Sequence, residues 1–197
     1  SLSIGFFVLF KDLFSLVSKL LFAVAITFTA WVINIYFAWI AAYHAHVMFV
    51  WVMTPIIEVL LFLFSVYFVH VFTDEKRTDT SFVAKVILLV LGLPIILLLP
   101  TAYNIEYFNS AICEGVPGML WDYLYLFETV LILWVGTVGY VRYRQSVDVK
   151  RKRQILYIAI GMISFLLLFL GSNVVGQHTG IQEISFIGSL GMVAFLM

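Results

Sequence analysis

Two carboxylic acids interrupt otherwise apolar stretches of this chain: Glu58 in TPIIEVLLFLFSVYFV and Glu128 in YLYLFETVLILWV. A charge at the centre of a membrane-crossing helix costs roughly 2.5–3.5 kcal/mol on insertion scales, so such acids face protein or a polar cavity and mark sites for ligands or protons. At helical spacing Thr54, Glu58 and Ser65 share one face, and Asp122, Tyr125 and Thr129 share another with Glu128 beside it. Asn34 and Asn173 lie in apolar runs of their own. Glu58, Glu128, Asn34, Asn173 and Thr54 are therefore read as one polar site for a small ligand or a proton, anchored on Glu58. The competing reading is that these groups satisfy one another between helices, as buried polar residues in membrane bundles do.

Other reactive residue types give less. His44 and His46 form an H-x-H pair, with Glu106, Glu114, Asp122, His178 and Glu183 expected on the same side of a membrane. Imidazole and carboxylate suit zinc, but two histidines in a short loop lack the further ligands a tight site needs, and no metal is assigned. The single cysteine, Cys113, excludes an internal disulfide and any four-thiolate centre within one chain. No catalytic constellation and no cofactor motif is present. A retinal-binding helix would need a lysine, and Ile181 to Met197 has none.

These residues need elements to hold them, and composition says which kind. Charged residues are 11% and hydrophobic residues 63% of the chain, whereas about a quarter of a soluble domain is charged. The apolar runs predict an all-α membrane helix bundle of six to seven transmembrane helices in a single domain over 1–197, the helices falling near 4–10 (partial), 20–43, 46–72, 82–101, 119–141, 155–175 and 181–197 (partial). Pro55 and the Gly92/Pro94 pair fall inside helices, where proline removes a backbone hydrogen bond. AYNIEYFNSAICEGVPG reads as the longest loop and VGQHTGIQE as a tight turn. No secretory signal opens the chain, and a start at SLSIGFF with an end at AFLM, inside an apolar run, points to a section of a longer protein.

Arg142, Arg144, Lys150, Arg151, Lys152 and Arg153 make up six of the eleven Lys and Arg and crowd one connection; the other five lie at two alternate connections. Basic residues are retained on the cytoplasmic side, which predicts the N-terminus outside and the C-terminus inside a cell membrane. The same cluster attracts anionic lipid head groups at about 1 kcal/mol per residue, and so short a juxtamembrane segment is not read as a nucleic-acid site. Gly136, Thr137 and Gly139, and Ser172 with Gly176, offer small residues for close helix approach, within the bundle or between protomers of a homodimer.

In FVLFKDLFSLVSKLLFAVAITFTAW, TPIIEVLLFLFSVYFV, RKRQILYIAIG and the GSN that follows, taken in order, the chain resembles the seven-helix N-terminal membrane region of bacterial sensor histidine kinases over nearly its whole length. The resemblance implies a receptor module of two-component signal transduction that passes an external or intramembrane stimulus to a cytoplasmic output. No histidine-bearing dimerisation helix and no ATP-binding region lie within the 197 residues. The alternative function is a non-catalytic subunit of a larger membrane assembly, with partner membrane subunits in place of an output domain.

Overall fold

The computed structural model describes residues 15–40, 43–74, 80–109, 114–179, 184 and 187–196. Its elements are α1 (Leu16–Ile40), α2 (His44–Thr73), α3 (Phe82–Leu98), β1 (Ile105–Asn109), β2 (Glu114–Pro117), α4 (Met119–Gln145), α5 (Val149–Thr179) and α6 (Ile187–Leu196). Helices α1, α2, α4 and α5 are each long and apolar enough to cross a membrane, and α3 is a shorter apolar helix of 17 residues. At 1.5 Å per residue α3 reaches about 25 Å, short of the ~30 Å hydrocarbon core but inside the range for spans. The chain is a multi-pass membrane protein built as a helix bundle. The expected partial helix at 4–10 lies outside the described residues, and α6 covers part of the stretch expected at 181–197.

Side-chain contacts give the helix directions. Asn34 reaches Thr54 and Trp31 reaches Glu58, so α1 and α2 run antiparallel. Phe62 meets Phe169 and Arg151 meets the Phe72 carbonyl, which sets α5 antiparallel to α2. Trp121 meets Trp51 and Trp134 meets His70, so α4 runs parallel to α2. The core between them is aromatic: Phe28, Trp31, Phe62, Phe165 and Phe169 are all buried and interlock edge-on or stacked. Ile33 and Phe37 of α1 and Leu89, Val90, Leu93 and Leu97 of α3 are exposed. An apolar surface of this kind is what lipid tails cover.

Close backbone approach occurs where small residues face each other. A Cβ added to Gly139 of α4 would lie 2.7 Å from the Ala159 Cβ of α5, whereas one at Gly136 would sit at an ordinary 3.7 Å from Ile163. Of the small residues singled out in the sequence, Gly139 is thus the tight point between α4 and α5. Gly139→Ala is expected to destabilise the purified chain by about 1–3 kcal/mol through overpacking, and Ala159→Gly in the same chain to restore most of the loss. Thermal melting of the two variants tests this; an unchanged midpoint for Gly139→Ala would refute it.

One end of the bundle gathers the basic residues. Arg142 pairs with Asp74 at 3.4 Å. Arg151 donates to the backbone carbonyls of Phe72 and Asp74 and lies 5.1 Å over the Phe72 ring, closing the C-terminal end of α2. Most of the basic segment is helical, the connection shrinking to 146–148, so the helix extends beyond the span expected at 155–175. Arg142 and Arg144 occupy the last turn of α4, and α5 begins at Val149, so Lys150–Arg153 stand on its first turn. Asp148 supplies the reason: its Oδ1 accepts the Lys150 N–H at 3.0 Å and caps the helix start. Likewise α5 continues through VGQHT to Thr179, where a tight turn is expected from the sequence.

At the opposite end the expected long loop contains an antiparallel hairpin, the exception to the all-α reading. Ile105 pairs with Pro117, Tyr107 with Val116 and Phe108 with Gly115, with a register shift between Ile105 and Tyr107. Buried Asn104 anchors it by donating Nδ2 to the Leu99 carbonyl at 3.0 Å, while its own carbonyl accepts Gly118 N–H at 2.9 Å. Pro94 of α3 leaves the Val90 carbonyl without a helical donor. Tyr123 of α4 donates to the adjacent Leu91 carbonyl at 2.9 Å, tying α3 to the bundle beside that break.

Candidate functional site

The polar residues expected to form a site lie in the hairpin-side half of the bundle in layers one helical turn apart, Thr54, Glu58, Glu128 and Asn173 buried and Asn34 half-buried. Glu58 of α2 forms the inner layer: its Oε1 accepts Trp31 Nε1 from α1 at 2.9 Å and Asn173 Nδ2 from α5 at 3.0 Å. One turn outward, Asn34 of α1 donates to Thr54 Oγ1 at 2.9 Å and to the Val50 carbonyl at 3.2 Å, and Thr54 itself donates to Val50. Tyr125 of α4 donates to Gln177 Oε1 of α5, one turn beyond Asn173. Outermost, the Trp51 and Trp121 rings meet at 5.8 Å, and the hairpin's Gly115 backs onto Trp51.

Glu128 of α4 is fully buried and lies level with Glu58, each seven residues past the Trp51–Trp121 contact on parallel helices. Among the described residues neither of its oxygens has a hydrogen-bond partner, and the same holds for Glu58 Oε2 and Trp121 Nε1. The two acids are therefore held on unequal terms. Two N–H donors converge on one oxygen of Glu58 and none on Glu128. Beneath the acids, Phe62 and Phe169 close the bundle toward the basic end.

Of the five residues named from the sequence four are buried and Asn34 is half-buried; they form two linked pairs and one isolated acid: Glu58 with Asn173, Asn34 with Thr54, and Glu128. Two members of the flanking stripes are turned elsewhere. Ser65 returns its hydroxyl to the Leu61 carbonyl, and Thr129, exposed, returns its own to Tyr125. Asp122 is exposed as well. Trp31 and Gln177 were not among the expected residues; tryptophan counts as apolar in a hydropathy reading, and Gln177 lies in a stretch read as a turn. His46 is exposed and stacks edge-on against Tyr43, and no three metal-ligating groups converge among the described residues.

No family model, curated protein or solved structure matches the chain. Its chemistry is read from the geometry above. A buried carboxylate held by an indole and an amide, next to a second acid with no donor, can bind a proton or a cation; it provides no nucleophile, base and oxyanion arrangement for group transfer.

Proposed function

We propose that the chain is a sensory module of seven membrane helices that converts an external or intramembrane stimulus into movement of its last helix, and so drives a histidine-kinase-like output in the cytoplasm. The observation that carries this reading is a direct contact path from the polar site to that helix. Asn173, which holds Glu58, is followed inward by helix neighbours that touch α6. A Cβ on Gly188 would lie 2.6 Å from Ser172 Oγ, and one on Gly191 would lie 3.3 Å from Phe165 Cα. Helix α6 is therefore seated directly on the turns of α5 that position Asn173. A ligand that favours one arrangement of Glu58 and Asn173 over another would shift α5 and α6 together, because differential affinity for two arrangements is what moves such an equilibrium.

Sidedness supports the same reading. The basic end, with Arg142 and Arg151 clamping the end of α2, belongs in the cytoplasm by the positive-inside rule, which puts the hairpin and the polar site toward the exterior. In cells, a polypeptide bearing this chain is expected to carry phosphohistidine at a level that Glu58→Gln changes while its abundance stays the same. In a Cys113→Ser background, Glu106→Cys should react with an impermeant maleimide added outside and Lys150→Cys should not. Absence of phosphohistidine together with stoichiometric co-purification of other membrane proteins would favour a structural subunit instead.

A further inference from the structure

We propose that Glu58 and Glu128 together bind a small primary ammonium ion, R–NH3+, that enters from the hairpin end. This assignment names the ligand class for the receptor reading above and rests on that reading only for its consequence in signalling. Three carboxylate oxygens, Glu58 Oε2 and both of Glu128, are buried without hydrogen-bond partners among the described residues. A carboxylate in a low-dielectric interior must be neutralised or paired with a positive group. Among the described residues no Lys or Arg pairs with either acid. The sequence has no Lys or Arg between Lys19 and Lys76 or between Lys85 and Arg142, nor any after Arg153, so the hairpin-side half of every helix that contributes to the site lacks both.

The number and kind of free acceptors select among cations. An ammonium carries three N–H donors, matching the three free oxygens. Ca2+ or Mg2+ needs about six oxygen ligands, more than the acids offer. Glu58 Oε1, already accepting Trp31 and Asn173, keeps the residual negative charge that one cation leaves on two carboxyls. The walls fit the organic part of such an ion. Phe62 and Phe169 lie beneath the acids, and Tyr125 and Trp121 stand in succession toward the hairpin at 6.2 Å between rings. Aromatic faces attract cations, and more strongly when both are shielded from water. The titratable groups at these levels are Glu58 on α2 and Glu128 and Tyr125 on α4, with Asp122 of α4 exposed; α1 and α5 contribute Trp31, Asn34, Asn173 and Gln177, none of which titrates.

The test uses the chain in lipid nanodiscs, with tryptophan fluorescence as the readout and methylammonium and ethylammonium as the probes. Tetramethylammonium and Na+ serve as comparisons that lack N–H donors. A saturable change is expected with the primary ammonium ions, at least tenfold weaker with tetramethylammonium or Na+, and at least tenfold weaker in Glu128→Gln. Glu128→Met provides a second variant if Glu128→Gln does not fold. No saturable response in a chain that still melts cooperatively, an equal response to Na+, or a response that only tracks proton concentration would overturn the assignment, the last two replacing it with a metal-ion or a proton site. Ammonium binding without any change in phosphohistidine would retain this site and discard the receptor reading. Phosphohistidine that responds to Glu58→Gln, with no ammonium response, would do the reverse.

Discussion

Glu128→Met is expected to raise the melting temperature of the purified, ligand-free chain, and Glu58→Met to lower it, although both remove a buried acid of the same size. The difference lies in what each leaves behind. Glu128 is fully buried and its two oxygens have no hydrogen-bond partner among the described residues. Replacing a buried polar group that lacks a hydrogen-bond partner with an apolar one of similar volume recovers its desolvation cost, about 1–3 kcal/mol. Removing Glu58 instead strands two buried donors, Trp31 Nε1 and Asn173 Nδ2. Polar contacts between membrane helices average ~0.6 kcal/mol and reach ~1.7, so losing two of them costs roughly 1–3 kcal/mol. At roughly 2–4 °C per kcal/mol for a chain of this length, shifts of several degrees in opposite directions should be resolved by thermal melting in detergent. Glu58→Gln, which keeps an acceptor for both donors, should fall between them. Shifts of the same sign for the two methionine variants would show that the acids are held equivalently, and would remove the asymmetry on which the site is built.

How much of this was legible beforehand follows from what hydropathy can register. A charge or an amide inside an apolar run stands out, so Glu58, Glu128, Asn34 and Asn173 could be named, and helix bounds expected at 46–72 and 82–101 lie close to His44–Thr73 and Phe82–Leu98. The partners were harder. Trp31 counts among the hydrophobic residues, yet its indole N–H is what links α1 to Glu58. Asn34, near the outer end of its helix, was expected in one polar site with Glu58; the antiparallel register of α1 and α2 brings it against Thr54, one turn outward. Helix α5 outruns both ends of its expected span because hydropathy marks where the hydrocarbon ends, whereas the Asp148 cap and continued backbone hydrogen bonding decide where the helix does. The strands β1 and β2 carried too little alternation to be seen. EYFN and EGVP are short, and Gly115 and Pro117 argue against a strand in isolation.

The hairpin's attachment leads to the other large effect: Gly118→Ala is expected to destabilise the chain by roughly 3 kcal/mol or more, beyond the usual cost of one added methyl. The φ of Gly118 is −90°, which any residue adopts, so the requirement for glycine comes from space and not from backbone conformation. A Cβ there would lie 2.7 Å from the Ala102 carbonyl oxygen and 2.8 Å from the Tyr103 carbonyl carbon. Both obstacles are backbone and cannot swing aside. They are also held: Tyr103 O accepts Leu120 N–H at 2.8 Å and Asn104 O accepts Gly118 N–H at 2.9 Å, so the first turn of α4 is capped by the strand-side turn it would have to push away. Displacing that turn also strains the Asn104–Leu99 bond that fixes the end of α3. Gly115→Ala gives the comparison. Its added Cβ would meet Trp51 Cγ at 3.3 Å and the Ile105 side chain at 3.4 Å, contacts that shift by a few tenths of an ångström. Gly115→Ala should therefore melt within a few degrees of the unmodified chain while Gly118→Ala falls by roughly 6–12 °C. If the two variants melt together, the hairpin is not locked to α4 through the Tyr103 and Asn104 carbonyls, and the lid over Trp51 and Trp121 must be held by its side chains alone.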